Sequence, residues 1–176
     1  MATRSLRARL QSVRRRLLML GSATALVWGL AAAVPLFILF VWVMNSPREP
    51  MVRIRRILDA LLRPVMGRWC LLKLALLSVL AGLGEELFFR GFLQAGLARF
   101  IGLIPALAVA SCVFGVCHLV TRAYGLMAAV VGIYLGLLWI WTNNLLVPIT
   151  AHALHDFVAL VYFLRLLPTR RTSRHD

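Results

Sequence analysis

The chain is short of acid. Six Asp and Glu stand against 20 Lys and Arg in 176 residues, a net charge of +14. Only three aspartates exist, Asp59, Asp156 and Asp176, and one of them lies in an apolar run. That excludes an intramembrane aspartate dyad. Charge of either sign is scarce as well. It is carried by 15% of residues, against roughly a quarter in a soluble domain. With 61% hydrophobic residues and a mean hydropathy of +0.86, neither an ordinary soluble fold nor a disordered chain fits. Cysteine is sparse and odd in number. Cys70, Cys112 and Cys117 match no disulfide framework and no zinc spacing, so they read as small buried hydrophobes. His-Glu-x-x-His and Gly-x-Ser-x-Gly are both missing, and Ser78 and Ser111 sit in no catalytic motif. The basic start and first apolar run resemble a signal peptide. The run is too long, however, and no small-x-small cleavage site closes it.

What is present is a series of apolar runs, each long enough to cross a bilayer at about 20 residues per helix. The chain divides into a basic arm (1–16), an accessory span (17–44), a basic connector (45–68), a core (69–167) and a basic tail (168–176). In the connector, Ile54, Leu58, Leu61, Leu62 and Val65 recur at helical spacing with Arg56, Asp59 and Arg63 between them. A helix lying on the membrane surface has this pattern. The core reads as four spans: one long helix over 69–100, then about 102–120, 125–141 and 145–167. The expected architecture is all-α, a bundle of about five spans. Gly132 and Gly136 form a small-xxx-small pair suited to close helix packing. The arginines flank the apolar runs, which points to anionic lipid and away from nucleic acid. Both faces are Arg-rich. The positive-inside rule leans toward the connector and C-terminus inside and leaves orientation open.

A charge at the bilayer centre costs at least about 2.5 kcal/mol, yet Glu85, Glu86, Arg90, His118, His152, His155 and Asp156 all fall within spans. Glu86 and Arg90, four apart on a helix, can neutralise each other. Glu85, His118, His152 and Asp156 still require a reason. Glu85 lies thirteen residues before Ala98 and His118 thirteen after Pro105. Both therefore reach about 20 Å from the same face and can meet across the hairpin. His152, only a few residues past Asn144, counts as shallower and would need tilt or an irregular entry at Pro148. Such a set suits water activation by a carboxylate base, with a neighbouring His holding the same water and a second His or an Asp steadying an oxyanion. It also suits a divalent metal such as zinc, held by Glu85, His118 and His152. Phe114 and His155 read as packing residues. Phe88, Phe89 and Phe92 read as lipid-facing or core, and Tyr124, Tyr134 and Tyr162 as interface anchors.

Three motifs stand in order on successive spans: Glu85-Glu86-x-x-x-Arg90, Phe114-x-x-x-His118 and His152-x-x-x-Asp156. Together they resemble the CPBP family of intramembrane proteases, the type II CAAX prenyl endopeptidases and bacteriocin-processing proteins, also called Abi. The resemblance covers about residues 69–167. It implies an integral membrane endopeptidase with Glu85 as water-activating base and His118 as its partner. His152 and Asp156 would stabilise the oxyanion, and Glu86 and Arg90 would support the site. Both a metal-dependent and a metal-free glutamate mechanism fit such a set. The chain departs in carrying Asp156 where eukaryotic relatives tend to have Asn, and in having few accessory helices. Membrane lipids and a membrane-anchored protein or peptide substrate are the implied partners, in a bacterial cytoplasmic membrane. The substrate would be a C-terminal sorting anchor, a bacteriocin-type leader or a CAAX-like terminus. The rival readings are a non-enzymatic binding or immunity-type protein on the same fold, and a small proton- or metal-coupled transporter.

Overall fold

The computed structural model describes residues 2–167, with side chains from residue 21 onward; the tail at 168–176 and the side chains of the basic arm lie outside it. The described residues are helical throughout, without strands. In chain order they form α1 (Ala2–Asn45), α2 (Glu49–Met66), α3 (Leu71–Glu86), a π-helical stretch (Leu87–Gln94) and α4 (Ala95–Ile101). Then come α5 (Leu103–Cys117), α6 (Arg122–Thr142) and α7 (Leu146–Val161), which ends in a π-helical turn (Tyr162–Leu166). The backbone of α1 runs without a break through the expected boundary at residue 16.

Three stretches are long and apolar enough to cross a membrane: Gly21–Asn45, Arg122–Thr142 and Leu146–Leu166. The expected five spans are not reached on this criterion, for two physical reasons. Residues 71–101 form one continuous rod, as expected, but Lys73, Glu85, Glu86, Arg90 and Arg99 interrupt its apolar sequence. α5 is equally apolar but only 15 residues long.

Glycines set the packing. Gly82 sits against the backbone of Ala153, where an added Cβ would lie 2.8 Å from its nitrogen, so α3 and α7 run antiparallel in near contact. Gly132 and Gly136 let α6 close on α5 at Ser111 and Leu107, as the small-xxx-small spacing predicts. Gly29 touches Thr150, and Phe40 packs edge-on against Tyr162, so α1 runs parallel to α7. Gly102, at φ 84°, takes the left-handed turn between α4 and α5 that side chains disfavour.

α2 lies across one end of the bundle, and arginines tie it there. Arg55 donates to the carbonyls of Val43 (2.7 Å) and Ser46 (2.8 Å). Arg63 donates to Asp59 (2.6 Å) and to the carbonyls of Phe163 (3.1 Å) and Leu167 (3.2 Å). Arg165 reaches back to Gly67 and Trp69. These arginines satisfy free carbonyls at helix C-termini, a role beyond the topology signal read from sequence. Two other readings are corrected. All three cysteines are exposed, Cys112 and Cys117 on the outward face of α5 and Cys70 just before α3. The tyrosines turn inward: Tyr134 donates to the Ala32 carbonyl (2.8 Å), Tyr162 packs on Phe40, and Tyr124 lines the central chamber.

Candidate active site

The site is built from a buried support outward. Glu86 and Arg90, one turn apart, form an ion pair at 2.8 Å and are 0% and 1% exposed. Arg90 also donates to the Gly132 carbonyl (2.8 Å) and lies over the Phe114 ring, 5.0 Å from its centre. The π-helical stretch begins directly after Glu86. Its wider turn changes the phase of the following faces, a device common at functional sites. Glu86 Oε1 has a second partner, His152 Nδ1, at 2.8 Å. Glu86, held as a carboxylate by Arg90, accepts there. His152 Nδ1 therefore carries a proton, and in the neutral ring Nε2 is left as an acceptor toward Glu85 and Asp156.

His118 is oriented by different means to the same effect. It caps α5, and its Nδ1 lies 2.8 Å from the Phe114 carbonyl. A carbonyl only accepts, so Nδ1 carries the proton and Nε2 is bare. The ring stacks on Phe114 with centres 4.3 Å apart. Phe114, read from sequence as packing, is buried, and it also supplies both the platform and the acceptor that fix His118. Its place four residues before the histidine is the signal that could have revealed this.

Glu85 faces both imidazoles. Its Oε2 is 3.7 Å from His118 Nε2 and 3.9 Å from His152 Nε2, while Asp156 Oδ2 is 3.5 Å from His152 Nε2. All six residues singled out from sequence come together. The expectation that His152 lies shallower is corrected. Gly91 abuts Leu145, where an added Cβ would be 3.3 Å from its Cδ1. The α6–α7 turn therefore meets the rod about ten residues, or about 15 Å, short of the turn at Gly102. The two turns stand at different heights, and His152 is level with Glu85.

Carboxylate and bare Nε2 atoms facing one another at 3.7–3.9 Å are all acceptors, too far apart for direct bonds. The spacing suits a bridging water, which would give one hydrogen to Glu85 and the other to a histidine. Imidazoles whose Nδ1 is tied down are also the usual form of zinc ligands. Among the described residues, however, no three His, Cys, Asp or Glu groups stand in a geometry that would hold an ion.

The site opens into a chamber of about 320 Å³. Its polar end is Glu85, His118, His152 and Asp156; its far walls include Leu36, Leu39 and Phe40 of α1 and Ile54, Leu58 and Leu62 of α2. A larger cleft of about 700 Å³ between α2 and residues 120–123 holds none of the site residues.

The type II CAAX prenyl endopeptidase Rce1-like family model matches residues 67–158. The chain belongs to this family. The matched stretch holds all six site residues, while α1 and α2, which close the chamber, lie outside it. The chain is also 38% identical over 85 residues to the uncharacterized protein YpbD of Bacillus subtilis (strain 168). That alignment covers 47% of this chain and 41% of the relative's length. No solved structure matches the chain.

Proposed function

We propose that this protein is an intramembrane endopeptidase of a bacterial cytoplasmic membrane, cutting a membrane-associated protein or peptide with water activated by Glu85. The convergence of Glu85 with two histidines of fixed tautomer, at the polar end of an apolar chamber, carries the reading. Glu85 takes a proton from water, and His118 or His152 Nε2 holds the second hydrogen. The water oxygen bonds to the scissile carbonyl carbon, and the carbonyl π pair moves to oxygen. Glu85 then delivers its proton to the amide nitrogen as the C–N bond breaks, leaving a carboxylic acid and an amine. The oxyanion role that the family resemblance implies for His152 and Asp156 requires each to carry one more proton, as Nε2–H and carboxyl O–H. Glu86 and Arg90 position His152. A chamber of this size takes a few extended residues or one apolar chain, not a helix about 10–12 Å across. A C-terminal sorting anchor or a bacteriocin-type leader, unwound at the cut, suits it.

The test compares wild type, Glu85→Gln and His118→Ala at matched membrane levels, reading membrane-protein termini by mass spectrometry. Specific termini should vanish in both variants. Unchanged termini would reject the endopeptidase and leave a binding protein. A chelator arm tests for a metal: activity lost on chelation and restored by zinc would replace the metal-free route.

A further inference from the structure

Peptide hydrolysis needs a base and also a hydrogen-bond donor for the negative oxygen of the tetrahedral intermediate. The site is rich in the first and poor in the second. Glu85 and Asp156, as carboxylates, only accept. As neutral imidazoles, His118 and His152 spend their one N–H, on Nδ1, toward Phe114 and Glu86 and leave Nε2 as an acceptor. Arg90, the one permanent donor nearby, is 1% exposed and spent on Glu86 and Gly132.

One further residue with a hydroxyl lines the chamber, Tyr124 in the first turn of α6. Its backbone N–H is fixed by the Thr121 side chain (3.1 Å), and its ring lies 6.4 Å from the His118 ring, centre to centre. Among the described residues its hydroxyl makes no hydrogen bond, unlike that of Tyr134, which is bound to Ala32. The other uncommitted group on the chamber wall, His155, is held edge-on by Phe40 of α1.

We propose that Tyr124 is a catalytic residue whose phenolic O–H donates to the oxyanion as water adds to the scissile carbonyl. The oxygen gains the carbonyl π pair, Tyr124 lends its hydrogen bond without giving up the proton, and the pair returns when the C–N bond breaks. This rests on the endopeptidase reading, and the test separates the two.

The full chain, purified into lipid nanodiscs, is assayed on a synthetic peptide spanning the most abundant terminus that wild type generates in cell membranes. Tyr124→Phe removes an unpartnered hydroxyl, so melting temperature should be unchanged. Turnover should fall about 10²- to 10³-fold with KM unaltered, the usual loss for one oxyanion donor. Asp156→Asn puts an N–H donor where the carboxylate was. In the Tyr124→Phe background it should restore at least about tenfold. Turnover near wild type in Tyr124→Phe would overturn the proposal. So would a slow Tyr124→Phe that Asp156→Asn fails to rescue, because Tyr124 would then act other than as a donor. If Glu85→Gln still cleaves, the endopeptidase reading itself has failed; if Glu85→Gln is inert while Tyr124→Phe is fast, only the tyrosine assignment falls.

Discussion

Glu85 and Glu86 are neighbours in sequence with opposite environments. Glu86 is fully buried, held by Arg90 and His152, and Glu85 is about a third exposed at the chamber mouth. The proposed mechanism makes the first structural and the second reactive, so mutation should separate them. Arg90→Ala strands a buried carboxylate, which costs about 3–5 kcal/mol. It should lower the melting temperature in detergent sharply, whereas Glu85→Gln should leave it near wild type. Replacing both partners, as Glu86→Leu with Arg90→Leu, should recover much of the stability but not the activity. His152 would then lose the acceptor that keeps its Nε2 bare. If the double variant cleaves normally, the pair does not position His152.

At the scale of elements, the helices act as spacers, and glycine sets how near they come. At Gly82 a methyl group would press on the Ala153 backbone, one residue past His152, whereas at Gly84 it would meet nothing within 4 Å. Gly82→Ala should therefore push α3 from α7, lowering both stability and cleavage, while Gly84→Ala should change stability by under about 1 kcal/mol. Thermal melts and peptide cleavage on the two variants check this. A silent Gly82→Ala would mean that the register is not held there. The same elements explain what could be read in advance. Glu85 and His118 sit symmetrically about one hairpin, so counting at a fixed rise per residue brought them together. His152 reaches the site through a different turn, whose height depends on Gly91 meeting Leu145, and no count along one helix contains that contact. The surface helix was legible because its apolar residues follow a single period. The duties of Phe114 and Tyr124 were not, because an aromatic in an apolar run looks alike whether it fills a core or holds a catalytic group.

For the whole molecule, the family match and the chamber do not coincide. Residues 67–158 contain all six residues of the proposed chemistry, whereas α1 and α2 supply much of the wall that substrate would touch. Catalysis and selection are thus assigned to different parts of the chain. The shortness of α5 has a consequence for the surrounding lipid. Fifteen residues span about 22 Å, against about 30 Å of hydrocarbon, and His118 closes that helix. α5 is therefore shorter than α1 or α6, and we expect the bilayer to dimple beside it. Acyl-chain length becomes a control on rate through hydrophobic mismatch. Cleavage should be faster in nanodiscs of short-chain phosphatidylcholine than of long-chain, and equal rates across the series would show that the dimple carries no strain. A membrane that thickens as its lipids change would then slow this protein without touching a single one of its residues.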